Sequence, residues 1–494
     1  MGTWGPSALG GIQYQTAKEK HPNHICAVPI VAHPQQSYDS YFCGGVLEKS
    51  RLQQLDALGY GVSTVVLANP YYSNSWTIAE NNSRYPQDII IPTLQIGGWY
   101  DHNIDKMIDW YKATKASAAS NMRNQQWFIV GPWVHGGTGS AYVGSASQGE
   151  LSYPNAAFIC DTMARNFFAH YLLNSNNNWE NTAAITYYKT GANVWATDAD
   201  SSIELLQTSE LLLNSGNLLS KNNSTGSTPF ISDPKNPSPT IGGQTLSTGL
   251  SQGPFDQNTL DSRSDIITFA TDFLTNDVTI SGRVKANLYV QCNQPDADIA
   301  IRVVDLYPDG RSMLINDGIR RMRFRNGYRK TDESFMNPSN VYNVEVQMPF
   351  TNYIWKVGHK IKIYVSGNSS TRWDVNLQSG DNMYVAGDTM VANIQIHHST
   401  QYPSKLILPG NSPLVSVNDI DFESTSIYPN PTNGKLFIQS EIDAQSYEIY
   451  DLSGKLLRRE QVKVNAINVA DLNSGMYFIV IQTASNRFTT KFIR

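Results

Sequence analysis

Two patterns of apolar and polar positions divide the chain. Up to about residue 200, short apolar runs alternate with stretches of helical period. Gly10 to Lys20 reads as a helix and Ala27–Val31 as the strand after it. Ile89–Ile96 reads as a buried strand ending at Gly97-Gly98, followed by a helix from Asn103 to Ala119 with Met107, Trp110 and Tyr111 on one face. Trp127–Val130 reads as the next strand, ended by Gly131-Pro132. Ala156 to Leu173 then carries Phe158, Met163, Phe167 and Tyr171 at helical spacing. Strand, loop, helix repeated in this way predicts a parallel sheet with its site at the strand ends.

Near Ser201 the period becomes two. Glu210–Leu213, Asp277–Ile280, Val284–Val290, Ile299–Val304, Val341–Met348 and Ile361–Val365 read as short strands of an antiparallel sandwich. The Ser-, Asn- and Pro-rich run from Asn214 to Gln257 reads as a long loop region. After Leu408-Pro409-Gly410 a third segment, about 424–494, has turns of its own at Asn433-Gly434, Ser453-Gly454 and Ser474-Gly475, and predicts a small separate β module.

Composition narrows the function classes. A net charge of -5 gives no electrostatic ground for nucleic acid or an anionic membrane surface. No apolar run reaches the roughly 20 residues of a membrane span. The 4 cysteines, Cys26, Cys43, Cys160 and Cys292, form no Cys-x-x-Cys pair, and no histidine cluster has zinc-finger spacing. Most of these thiols read as small buried apolar residues, with a Cys26–Cys43 pair left open if the chain is exported. Neither a metal nor an organic cofactor is implied.

Three short stretches carry the chemistry: Trp4-Gly-Pro-Ser-Ala-Leu-Gly10, Gly97-Gly-Trp-Tyr-Asp101 and Gly131-Pro-Trp-Val-His-Gly136. Serine, acid and histidine stand in the chain order of α/β-hydrolases. Ser7 sits among small residues, as a tight turn into a helix requires, and the Ala8 N–H at the helix start would face a developing oxyanion. Each residue also has an ordinary reading: a capping serine, a capping aspartate and a solvated loop histidine. His24, His33 and His170 are the weaker candidates for the base, and Asp105 and Asp109 for the acid.

Taken together, these stretches resemble the CocE/NonD family, which unites cocaine esterase, X-prolyl dipeptidyl peptidase and α-amino-acid ester hydrolase. Its patterns Gly-x-Ser-Tyr-x-Gly, Gly-Trp-x-Asp and Gly-Pro-Trp-x-His match at Ser7, Asp101 and His135. The likeness continues through Asp296-Ala-Asp298, Val304 to Gly310, Ile319 to Arg323 and Gly358 to Ile361, over roughly residues 1 to 410. The resemblance implies an α/β-hydrolase domain over 1–200 with a short cap insertion at about 33–88, then a jelly-roll domain over 201–412. It implies an acyl-enzyme mechanism on an ester, amide or X-Pro peptide, with Ala8 as one oxyanion donor. Trp99, Tyr100 and Trp133 are the expected substrate-binding residues. In the insertion, Tyr38, Tyr41, Phe42, Tyr71, Tyr72 and Trp76 form either an acyl pocket or ordinary core.

Two departures from the family matter. Ala8 stands where the family has tyrosine, and no residue can be assigned to the family's second oxyanion donor, which comes from upstream of the elbow. Almost nothing precedes the elbow here, so the chain reads as lacking the front of its sheet and is expected to be unstable or poorly active as written. The tail, with Tyr428-Pro-Asn-Pro431 and Ser474-Gly-Met-Tyr477, resembles a type IX secretion C-terminal sorting domain. It implies export to the cell surface or beyond, the secretion machinery as partner, and a signal peptide upstream. The rival reading is a catalytically degenerate secreted binding protein whose jelly roll engages a polymer.

Overall fold

A parallel sheet buried on both faces needs strands that are apolar along nearly their whole length, and the central strands come close, with Thr93, Gln95 and Gln126 the buried polar exceptions. The computed structural model describes residues 1–135, 145–198, 203–246 without 206 and 223, 249–410, 426–439, 444–451, 455–462, 466–483 and 487–494. Its N-terminal part runs β1 (Gly2–Pro6), α1 (Ala8–Lys18), β2 (Cys26–Ile30), an insertion, β3 (Thr93–Tyr100), α5 (Ile104–Ser117), β4 (Gln126–Val134), α6 (Ile159–Leu173), β5 (Ile185–Lys189) and β6 (Val194–Asp198). The insertion holds a small hairpin and helices α2 (Lys49–Ala57), α3 (Ser63–Leu67) and α4 (Asn74–Asn82). The sheet order is β1-β2-β3-β4-β5-β6, parallel up to β5, with β6 antiparallel. Every residue of β2, β3 and β4 is buried.

Alternate residues of these strands serve opposite layers. Val28, Ile30, Ile96 and Ile129 pack on one face with Cys160, Ala164 and Phe167 of α6. On the other face Phe128 and Val130 meet Met107, Ile108 and Tyr111 of α5, and Ala27 meets Tyr14 and Ala17 of α1.

The period-two region forms eleven strands: β7 (Thr208–Asn214), β8 (Leu218–Ser220), β9 (Ser227–Ser232), β10 (Ile266–Ala270), β11 (Val278–Cys292), β12 (Asp298–Leu306), β13 (Ser312–Arg321), β14 (Tyr342–Trp355), β15 (Lys360–Ser366), β16 (Ala392–His397) and β17 (Lys405–Pro409). Leu211, Ile280, Leu288, Ile301, Val346, Ile363 and Leu406 meet in its core. The segments singled out in the sequence pair with one another. Arg321 makes two bonds to Asp298, at 2.8 and 2.9 Å, and Arg323 Nε lies 2.6 Å from Asp296. Asp305 accepts from the Tyr353 hydroxyl and from His359 Nδ1, at 2.8 and 2.9 Å. Sheet and sandwich lie in one unit, Met1–Leu414, where Phe350 stacks on Trp99 and Arg372 bonds both Glu48 and Asp317.

The expected boundaries differ in several places; α6 begins at Ile159 and leaves Phe158 exposed before it, and β14 runs on to Trp355. Ile89–Ile91 is not in β3, because Pro92 offers no N–H to a neighbour. Strands β3 and β4 continue through Gly97-Gly98 and Gly131-Pro132: Gly98 pairs with Gly131 and, past an irregularity that holds the buried Trp99 and Trp133, Tyr100 pairs with Val134. The two strands expected at 277–290 are one, β11, bent by a bulge between Arg283 and Lys285. The run 214–257 contains two strands, β8 and β9. Cys26 and Cys43 are free thiols, not a disulfide.

The second unit, Val415–Arg494, holds a three-stranded and a four-stranded sheet around Leu436, Ile449, Ile467, Ile479 and Phe492. Gly434 adopts φ +125° at the expected Asn433-Gly434 turn, and Gly475 exchanges backbone bonds with Arg494. The expected turn at Ser453-Gly454 and the boundary at Ser201 lie outside the described residues, as does Gly136.

Candidate active site

The site begins at the turn from β1 into α1. Ser7 has φ +53° and ψ -122°, a backbone conformation rare for a non-glycine residue and one that stores strain. Its N–H is held by Ile30 O at 2.9 Å, and its own carbonyl accepts from Gly11 at 2.9 Å. The turn packs tightly: a Cβ on Gly10 would lie 2.6 Å from the Ala32 Cβ and 3.0 Å from Gly5 O. Ala8 opens the helix, so its N–H has no acceptor within the helix and is available to a ligand.

Asp101 follows β3 and is fully buried. Its Oδ1 accepts the Asn103 N–H at 2.6 Å and its Oδ2 lies 2.7 Å from His135 Nδ1. His135 follows β4, and its Nε2 lies 3.0 Å from Ser7 Oγ. Three parallel strands of one sheet, β1, β3 and β4, thus end in an unbroken chain of hydrogen bonds from serine through histidine to a buried carboxylate. The contact to Asp101 requires a proton on Nδ1, leaving Nε2 free to accept one. Asp101, His102 and His135 also present ligating atoms within 4.8 Å of one another. The 2.7 Å between Nδ1 and Oδ2 is a hydrogen-bond distance, shorter than the roughly 3.3 Å that separates two donors on a tetrahedral ion.

Ser7 opens onto a cleft of about 460 Å³ shared with Ala8, Ile12, His33, Tyr41, Arg51, Leu58 and His102. Trp99, Tyr100 and Trp133 do not line it. They are at most 2% exposed and serve as core: Trp99 donates to Tyr188 O, Tyr100 to Leu314 O, and Trp133 packs among the residues beneath α6. Both faces of β3 and β4 are covered, so Trp99 and Tyr100, which point to opposite faces, are both core, as is Trp133. In the insertion Tyr38, Phe42 and Trp76 are core and Tyr41 reaches the cleft.

Sequence reasoning set aside His33 and missed His102, Asn103 and Arg51. His33 does follow a strand end, after Val31, whose φ of +44° turns the chain into the cleft. Val31 O is held by Asn103 Nδ2 at 2.9 Å. Burial pushes the His33 imidazole down to about 3, with the Arg51 cation adding to the effect. Burial likewise holds His102 well below the ordinary histidine value, and Arg51 adds to this too. No sequence signal separates Arg51 from an ordinary helix-surface arginine.

Residues 177–407 match the family described as X-Pro dipeptidyl-peptidase C-terminal non-catalytic domain, and residues 426–494 the secretion system C-terminal sorting domain. The chain is 27% identical over 341 residues to cocaine esterase of Rhodococcus sp. (strain MB1 Bresler). That alignment takes in 64% of this chain and 56% of the relative's length. Among solved structures, an aminopeptidase from a marine sediment Thaumarchaeota archaeon superposes with a TM-score of 0.71 at 20% identity, covering 83% of this chain and 76% of that one. An α-amino acid ester hydrolase gives a TM-score of 0.70 at 20% identity with the same coverage. A CocE/NonD family hydrolase from Staphylococcus aureus gives 0.58 at 15%, covering 83% and 71%. At these identities the structural likenesses establish the fold.

Proposed function

The chain belongs to the CocE/NonD family and ends in a secretion sorting domain, and on that footing we propose that it is an exported serine hydrolase cleaving acyl esters. Ser7 Oγ attacks the carbonyl while His135 Nε2 takes its proton. Asp101 keeps Nδ1 protonated and stabilises the imidazolium that forms. The Ala8 N–H, at the positive end of α1, faces the developing oxyanion. The imidazolium then protonates the leaving group, and water activated by His135 releases the acyl chain. The observation that carries this reading is His135 bridging Ser7 and Asp101 at 3.0 and 2.7 Å, with Ser7 on a strained elbow.

Esters are favoured over X-Pro peptides for a specific reason. A dipeptidyl peptidase needs a carboxylate to hold the substrate's amine, and no Asp or Glu is among the described residues lining the cleft. Turnover of p-nitrophenyl butyrate by the native protein and by Ser7→Ala tests the proposal. Loss of about 10³-fold or more in kcat is expected on removing Ser7. Equal rates in the two proteins would refute it.

A further inference from the structure

The cleft at Ser7 has an unusual charge balance. Among the described residues that line it, Arg51 is the only permanently charged side chain, since His33 and His102 are held neutral by burial. Among the described residues no carboxylate accounts for a cation in this position. Arg51 lies in the first turn of α2, at the positive end of the helix dipole, where a positive charge is unfavourable. Nearby Lys49 is offset by Asp374 at 3.6 Å, whereas Arg51 takes part in no ion pair among the described residues. Its guanidinium rests 5.4 Å from the centre of the Tyr41 ring, and its Nε is buried without a hydrogen-bond acceptor. A buried donor left unmatched is unfavourable unless a ligand supplies the acceptor.

Uncharged polar groups, among them Gln15, Gln35 and Ser40, share the wall with an apolar rim of Ile12, Leu55, Leu58, Tyr60 and Val62, of which Ile12, Leu58 and Tyr60 are more than half exposed. An apolar rim with one fork-shaped cation suits an amphiphilic anion, because a guanidinium engages a carboxylate through two parallel N–H bonds. Resting on the hydrolase reading above, we propose that Arg51 anchors a free carboxylate of the substrate, so that the enzyme selects esters bearing a carboxylate besides the scissile carbonyl.

The test uses two matched pairs of substrates with the full chain. The first is the p-nitrophenyl half-ester of adipic acid against the same ester with its free carboxyl methylated. The second is the butyrate ester of 4-hydroxybenzoic acid against that of methyl 4-hydroxybenzoate. Labelling of Ser7 by a neutral fluorophosphonate is read in parallel. The expected result is a labelled Ser7 and a kcat/KM about tenfold higher for the anionic member of one pair. The preferred pair tells whether the carboxylate belongs to the acyl or the leaving side. The ratio should fall towards one in Arg51→Met, persist in part in Arg51→Lys, and shrink in the unaltered enzyme as salt is raised. A labelled Ser7 with no anionic preference in either pair, or with no turnover of any of the four esters, overturns the role of Arg51 and leaves the serine assignment standing. An unlabelled Ser7 with no turnover overturns the hydrolase reading, and this inference with it.

Discussion

Asp101 and Asn103 are tied together across the floor of the site. The Asn103 backbone N–H donates to Asp101 Oδ1 at 2.6 Å, while the Asn103 side chain donates to Val31 O at 2.9 Å. One carboxylate oxygen is thereby committed to the turn and the other left for His135. The same asparagine fixes the segment that brings His33 to the cleft.

Replacing Asp101 by Asn removes the acceptor that keeps the His135 proton on Nδ1. The isosteric side chain keeps the turn's volume, so folding should persist while kcat on an aryl ester falls by about 10⁴-fold. Steady-state kinetics alongside a thermal melt separates the two effects.

Two adjacent glycines in α1 should respond in opposite directions to alanine. A Cβ at Gly10 would meet the Ala32 Cβ at 2.6 Å and two backbone oxygens at 3.0 and 3.1 Å, so overpacking of about 1–3 kcal/mol outweighs the helix gain. A Cβ at Gly11 meets nothing within 4 Å, so there the gain of about 1 kcal/mol in helix propensity stands alone. Denaturant unfolding of Gly10→Ala and Gly11→Ala reads both signs.

Acid should destabilise the fold through His33 and His102. Both have folded-state values below the ordinary 6.5, His33 at about 3, with burial the main cause. The unfolded chain therefore binds protons that the folded chain refuses. Their stabilising contribution is present above pH 6.5 and is lost as pH falls towards 3. Each histidine adds about 1.4 kcal/mol per pH unit to the slope within its window. The slope of stability between pH 6 and 4 should fall by that amount in His33→Asn, as measured by urea unfolding at a series of pH values.

In the sandwich, Arg321 and Asp298 are buried together, at 2.8 and 2.9 Å, with Asn376 also on Asp298. Arg321→Met should cost about 3–5 kcal/mol, since it strands a buried carboxylate. Adding Asp298→Leu should recover much of that loss. A double-mutant cycle by denaturant unfolding checks it.

Much of this was legible in the sequence, and for identifiable reasons. The parallel sheet announced itself because β2, β3 and β4 are apolar at nearly every position. Ser7, Asp101 and His135 stood out because each follows a strand in a glycine-rich setting. Trp99, Tyr100 and Trp133 were misjudged because β3 and β4 are covered on both faces, so a strand residue beside a motif is core whichever face it takes. Arg51 was invisible for the opposite reason. Its environment is assembled from Tyr41, His33 and His102, contributed by separate segments, and no local pattern marks it.

The central claim is that Ser7 is a nucleophile activated by His135. Reacting the native protein with a fluorophosphonate probe and mapping the adduct by peptide mass spectrometry tests it most directly. The account predicts modification of Ser7 in the intact protein and its loss in His135→Ala. An intact, folded protein with Ser7 unmodified would contradict it.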